Sequence, residues 1–561
     1  MAFVSGIVKE LMLVRKPAKK KKKRQTRNTS INPTIQQTTP IKPPVRKQTK
    51  ITIGILILII GIMVVFVTAF MRQPNYDMNL RYAQNTARTR REQIIKRPYT
   101  YLLPYTLGHE YVFDDMYILM NQIGPEAAFS LILDLRNEPT DVPEYISYAH
   151  AQADIAGLRF IMRLFYGAYN YFGGDDVFTP LFDNIHAILG TADYWSTGPQ
   201  GTFAALLHEQ LFSVISDNHF ILGNQILGAP TDGIFDHFVS PIHADFFESP
   251  SDFTRTANGF RCLVFNLYVQ EIPGHNLNDI FRLSLNESGE LVYIAVRYLY
   301  GGTEEMIYEL PIIYEDGSES SLLLFRHRPQ IQAYRYLPTL ERINGIPVIT
   351  MRSMGHTAQD QSTVLVSAFT YAVRNEPIII LDVRSNEGGS SLIPTQIFYN
   401  LLGEIVPPVS MMLHIGDEDT QIFSMGYQSR FTGQTIYRPM RPLGPYHMVV
   451  DYTPRRIVNN DNLIIILTDR WTGSAAERVV DIALNVRNTL VVGQNTSGVM
   501  RGIQGPHSMF MQNSGLPFSF GYGVLFFPDG FGEGVGFAPD IWATGDALDV
   551  IMAFLRNEGR I

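Results

Sequence analysis

The chain is expected to fold as an α/β protein, α+β overall, with a helical domain, a β-rich module and a core of alternating strands and helices. Three patterns carry that expectation. From residue 340 onward, apolar runs of strand length alternate with amphipathic helical stretches, as in a layered α/β domain. Residues 236–335 instead hold segments rich in Val, Leu, Tyr and Phe, separated by Gly, Asn and Asp. Residues 110–235 place apolar residues at three- and four-residue steps, the spacing of one helix face.

The N-terminus comes first. Residues 1–50 hold 14 Lys/Arg and one acidic residue, Glu10, a net +13; the whole chain carries −7, so the remainder is near −20. A basic tail on an acidic body has a local cause and does not indicate a nucleic-acid-binding fold. The cause is the next segment. Ile51–Met71 (ITIGILILIIGIMVVFVTAFM) is 21 residues without a charge, bracketed by Lys50 and Arg72. At a helical rise of 1.5 Å per residue it spans about 30 Å, the hydrocarbon thickness of a bilayer. A buried helix of a soluble protein has no need of a wholly apolar circumference over that length. A cleavable secretory signal has a shorter apolar stretch and a shorter basic leader. The segment therefore reads as one uncleaved transmembrane helix. The run Lys19–Arg24 precedes it, which places the N-terminus in the cytoplasm and the rest of the chain outside the cell membrane. The tail is expected to be disordered, and either to lie on anionic lipid or to serve only as a topology determinant. The one cysteine, Cys262, leaves the outward-facing part without an internal disulfide, which suits a bacterial surface. It sits in a strand-like Arg-Cys-Leu-Val-Phe with no motif around it and is not expected to be a nucleophile.

Residues 72–109 are polar and basic and read as a juxtamembrane spacer. Within the helical domain, 110–235, helices are predicted at Asp154–Ala168 and Gly201–Ile215, the latter stopping at Ser-Asp-Asn-His. Strands of the β-rich module are predicted at Phe260–Gln270, Leu291–Tyr300 and Ser320–Arg326. In the core, 340–561, strands are predicted at Ile346–Met351, Pro377–Val383, Asn462–Thr468 and Thr489–Val492, and helices at Ser362–Arg374, Leu392–Leu402 and Ser474–Val486. Strands around Phe518–Phe527 and a helix at Ala547–Leu555 close the chain.

Two segments carry chemistry. In Ile464–Arg478 (IIILTDRWTGSAAER) a buried strand runs through Thr-Gly-Ser directly into a helix, which puts Ser474 at a helix N-terminus. There the positive end of the dipole and free backbone N–H groups can stabilise a developing oxyanion, and Gly473 permits the tight turn. The plainer reading is that Ser474 is only an N-cap. In Pro377–Ser390 (PIIILDVRSNEGGS) a second buried strand ends in paired glycines, whose backbone N–H groups could supply a further oxyanion donor or form an ordinary turn.

Together these segments, with VVGQNTSG after the next strand, resemble the tail-specific (C-terminal processing) and tricorn-core serine peptidases. The resemblance is strongest over 377–540. It implies a crotonase-like (ClpP-like) core of ββα units with Ser474 as nucleophile, and Gly388 and Ala475 as oxyanion donors. A serine needs a positioned base. The family's lysine position, in the loop Thr496-Ser497-Gly498-Val499, is occupied by Val499, and Arg501 nearby stays protonated. The tricorn-like branch instead uses a His from the helical region and a Glu near the C-terminus. The segment ISDNHFIL resembles the former and implies His219 as base; GEGVGFAPDI resembles the latter and implies Glu533 as acid. FYGAYNYFGGDDVF also looks like that branch's helical domain. Where the branch has Ser before the His, this chain has Asn218, whose amide is a candidate for orienting His219 or Glu533. Asp217 is a second candidate for holding the imidazole, His356 a rival base, and Glu477 is assigned a structural place in the first turn after the serine.

Many relatives carry a PDZ module where 236–335 lies, which would capture peptide termini by strand addition; no Gly-Leu-x-x-Gly-Asp segment is evident here. No metal-ligand spacing or phosphate-binding glycine loop occurs, so no cofactor is expected. The resemblance thus implies a membrane-anchored extracytoplasmic serine endopeptidase acting on peptides or unfolded proteins by a Ser-His-Glu mechanism. A non-catalytic ligand- or peptide-binding protein on the same fold is the alternative, and a scaffold recruiting partners through the basic tail is a third reading.

Overall fold

Uninterrupted apolar runs such as Leu463–Thr468 and Thr489–Gly493 can be buried on both faces, and they lie side by side near the middle of a 14-stranded mixed sheet. This computed structural model describes residues 78–561 apart from 98–134, 136–137, 170, 224, 227–243, 301–304, 328–336, 356–360, 416–426, 429–434, 437–439, 443–447, 452–454, 505–508 and 529–530. The expected tail 1–50 and transmembrane segment 51–71 lie outside the described residues. Among those described, no helix is long and apolar enough to cross a membrane.

The sheet opens with the antiparallel hairpin Thr339–Ile343/Ile346–Thr350. Strands Ile378–Asp382, Leu463–Thr468, Thr489–Gly493 and Ile541–Ala543 then add in parallel. Helices Gln361–Val373, Leu392–Leu402 and Glu477–Ala483 alternate with these strands, so the mixed α/β class is as expected. Because all these strands run the same way, their C-terminal ends gather their loops at one edge of the sheet, where ligands bind in open α/β sheets.

The β-rich module does not stand apart from this core. Its strand Phe281–Leu285 pairs in parallel with Ile541–Ala543, through Trp542↔Ser284 and Ala543↔Leu285. Phe247, Phe281 and Leu310 share one apolar cluster with Ile465, Leu490 and Val550. The boundary expected near 335–340 thus separates two sequence patterns and not two hydrophobic cores.

The helical region contributes Tyr148–Phe165, Gly174–Leu189 and Thr202–Phe212, packed around Phe178, Phe182, Phe203 and Leu207. Ser147 caps the first by accepting from His150 N–H. The short strand Ile221–Leu222 pairs with Pro517–Ser519, and this pairing fixes the chain just beyond His219 to the core.

One expectation is corrected. The stretch 72–109, read as a polar spacer, contains the helix Met78–Lys96 docked on the sheet. Its buried stripe is Leu80, Ala83, Ala87, Arg91 and Ile94. Two alanines and an arginine give too weak an apolar signal for the stripe to stand out in the sequence. Arg91 pairs with Asp540 at 2.7 Å, both 2% exposed, while Glu558 accepts from Asn79 and from the Leu80 N–H. Arg91→Met leaves a buried carboxylate short of its partner and is expected to lower unfolding free energy by about 3 kcal/mol, read from denaturant midpoints; a change under about 0.5 kcal/mol would mean the helix docks by apolar contact alone.

Candidate active site

Three loops leave the C-terminal ends of neighbouring parallel strands and meet. The first follows Ile378–Asp382. Burial works against the charge of Asp382, yet Arg384 and Arg352, each at 2.8 Å, hold its carboxyl below the usual range. This buried cluster anchors the start of the loop. Ser385 then takes φ 52°, and its N–H donates to Asp469. Gly388 (φ 107°) lies so close to the next loop that a Cβ would stand 2.8 Å from Ala475 N. Only glycine fits both demands.

The second loop follows Leu463–Thr468 and carries the serine. The Asn386 carbonyl accepts from Gly473 N–H at 2.8 Å, tying the first loop to the second. Ser474 itself sits at φ 49°, a conformation uncommon for a side-chain-bearing residue and frequent at functional sites. It opens the turn Ser474–Ala476, which leads into Glu477–Ala483. The capping residue is Gly473, so Ser474 is not the N-cap of the plainer reading. Its Oγ instead faces His219 Nε2 at 3.3 Å. The Ala475 N–H makes no hydrogen bond among the described residues, whereas the Gly388 N–H donates to Asn386 Oδ1 at 2.9 Å. Of the two expected oxyanion donors, only Ala475 is open.

Glu477 joins the second loop to the third, which follows Thr489–Gly493. Its carboxylate accepts from Ser474 N–H, Thr496 Oγ1, Gly498 N–H and Val499 N–H, at 2.6–3.0 Å. Burial nevertheless pushes its carboxyl up to about 7, against those four donors. Val499, in the lysine position of the resemblance, contributes its N–H to this cluster.

His219 follows the helical region, and its backbone is fixed before its ring is. Asp217 accepts from the His219 N–H at 2.9 Å and from the Tyr166 hydroxyl at 2.8 Å. Asp217 therefore holds the main chain of His219 and makes no hydrogen bond to the imidazole. Burial lowers the imidazole below its ordinary value, with the Asp217 charge acting in the opposite sense. Nδ1 of the ring is buried without a hydrogen-bond partner among the described residues.

Glu533 is brought to the same place by the loop before Ile541–Ala543. Its carboxylate accepts from Asn218 Nδ2 at 2.8 Å, from Asn218 N–H at 3.3 Å and from Arg501 N–H at 3.1 Å. The residue preceding His219, not the imidazole itself, thus takes the Glu533 carboxylate. Burial, with Asp217 adding to it, pushes the Glu533 carboxyl up to about 8. Ser474, His219, Glu533, Asn218, Asp217, Ala475 and Gly388 are accordingly gathered in one place. His356 lies outside the described residues. Sequence reasoning missed Tyr166 and Asn386; Tyr166 falls inside the FYGAYNYF stretch singled out above, but nothing there marks one tyrosine among three.

A strained serine facing a neutral imidazole, beside an open N–H, has the parts for nucleophilic attack on a carbonyl. Among the described residues no group of three or more His, Cys, Asp or Glu is placed to hold a metal ion.

Among solved structures the chain is similar to mature CPAF (13% identity, TM-score 0.35, covering 73% of this chain and 96% of that one). It is similar to the photosystem II D1 C-terminal processing protease (10% identity, TM-score 0.31, covering 71% and 94%). It also matches the tricorn protease (13% identity, TM-score 0.29, covering 74% and 36%). No curated protein matches the chain. Residues 345–543, which hold all three loops, match the model of peptidase family S41. The match covers this core and not the rest of the chain, and it supports a serine peptidase of the S41 type.

Proposed function

We propose that the protein is a membrane-anchored, extracytoplasmic serine endopeptidase that cleaves peptides or unfolded proteins through an acyl-enzyme, with Ser474 as nucleophile, His219 as base and Glu533 as acid. The observation that carries this reading is the Ser474 Oγ–His219 Nε2 approach of 3.3 Å at a residue held at φ 49°. In the reaction, His219 Nε2 takes the Ser474 proton as Oγ attacks the scissile carbonyl, and later returns it to the leaving amine. The oxyanion forms at the Ala475 N–H. Gly388 supplies a second donor only after its N–H leaves Asn386 Oδ1. The Glu533 charge, held through Asn218, favours the imidazolium that forms. The uncharged run Ile51–Met71 behind a basic tail supports the anchor and its orientation.

The non-catalytic binding reading draws on two features of the same site: the Nδ1 of His219, without a hydrogen-bond partner among the described residues, and the engaged N–H of Gly388. A fluorophosphonate probe separates the two. Peptidase chemistry requires labelling of the intact chain that Ser474→Ala abolishes. Folded wild type that stays unlabelled would favour binding alone.

A further inference from the structure

Arg470 lies four residues before Ser474 and is buried, yet its guanidinium is spent on main-chain oxygens. Nη1 donates to the carbonyls of Thr496 and of Val535, the latter at 3.1 Å. Nη2 donates to Gly534 O at 2.8 Å and to Ala244 O at 3.3 Å. Phe246 lies under the cation, 4.8 Å from ring centroid to guanidinium carbon.

These carbonyls are not arbitrary. Thr496 belongs to the loop that Glu477 binds, and its hydroxyl also accepts from Phe537 N–H at 2.7 Å. Gly534 and Val535 directly follow Glu533. Gly498 is packed so tightly under this stretch that a Cβ on it would come within 2.6 Å of three backbone nitrogens, those of Gly534, Val535 and Gly536. On the other side, Arg470 follows Asp469, whose carboxylate accepts from Ser385 N–H, Trp471 N–H and Thr472 Oγ1. One planar fork of donors therefore spans the serine loop, the third loop and the Glu533 loop. A lysine ammonium, a single point with three donors, cannot cover that spread.

We propose that Arg470 is a positioning residue that fixes the Glu533 segment against the serine loop by bridging the carbonyl oxygens of Thr496, Gly534 and Val535. It does not touch the reacting atoms and acts through Glu533. The inference rests on Glu533 being the acid of the Ser-His-Glu reading.

The test is a double-mutant cycle on the full chain, read as the second-order rate of fluorophosphonate labelling. With the whole cycle run above pH 8, where Glu533 is charged, Arg470→Met is expected to slow labelling about 100-fold in the wild-type background and less than about 3-fold in a Glu533→Gln background, because the group it positions is already gone. Arg470→Lys keeps the charge but not the fork and should fall nearly as far; should the methionine variant fail to fold, the lysine variant carries the same cycle. Equal losses in both backgrounds would overturn the proposal, since a residue that merely supports packing costs the same with or without Glu533. Wild-type labelling by Glu533→Gln alone would instead remove the acid reading, and this inference with it, a result distinct from additive losses.

Discussion

Glu477→Ala is expected to abolish labelling of Ser474 and to lower unfolding free energy by about 4 kcal/mol, because it strands several buried donors at once. The four groups that converge on this carboxylate come from two loops: Ser474 N–H from the second, and Thr496 Oγ1, Gly498 N–H and Val499 N–H from the third. None can turn to water without opening the site. Glutamine is no remedy. Oε1 serves Thr496 and Gly498 while Oε2 serves Ser474 and Val499, so an amide NH2 in either orientation meets two donors. The pH dependence has a definite sign. Burial raises this carboxyl from its ordinary 4.5 to about 7, so the folded chain holds the proton more tightly than the unfolded one. Its contribution to stability is full below 4.5 and is lost as pH rises through 7. That slope should vanish in Glu477→Ala. A variant as stable and as reactive as wild type would mean the two loops are held together by packing and main-chain bonds alone.

The parts of this site that were legible in the sequence are those where local pattern and global fold coincide. Leu463–Thr468 and Ile378–Asp382 are apolar up to their last residue because both faces are covered, and a run of that kind leading into Thr-Gly-Ser or Asn-Glu-Gly-Gly marks where a loop must turn sharply. His219 and Glu533 came within reach only through resemblance, since 255 residues separate His219 from Ser474 and no periodicity reports such a contact. What stayed hidden is of two kinds. The helix Met78–Lys96 is held by Arg91 and Glu558 as much as by apolar residues, so a charged stripe concealed a buried face. Arg470 binds main-chain carbonyls, Asp217 binds a main-chain N–H and the Tyr166 hydroxyl, and the Gly388 N–H binds an asparagine side chain; which of these groups meet is settled by loop geometry that composition does not encode.

His219→Ala should slow labelling by about four orders of magnitude, the cost of removing the base from a serine triad. The more discriminating result is the pH profile of the wild-type chain. Neutral imidazole is the active form, and burial lowers its titration below 6.5 with only Asp217 opposing, so the labelling rate should rise through a limb below 6.5. Asp217→Asn removes the charge that favours imidazolium and should move that limb further down. Glu533 titrates in the opposite part of the range. Burial and Asp217 push it up to about 8, and only its ionised form favours the imidazolium, so a second rise is expected as pH passes about 8. Glu533→Gln should erase the second rise and leave the first in place. The same shift acts on stability: the folded chain holds the Glu533 proton more tightly, so its contribution is full below 4.5 and is lost as pH rises through 8. The alkaline range where the acid is charged is thus the range where this carboxyl destabilises the fold, and the Arg501 charge, with the hydrogen bonds from Asn218 and the Arg501 N–H, is what favours the charged form. A single limb that neither Asp217→Asn nor Glu533→Gln moves would place the base elsewhere, with His356 the next histidine to replace.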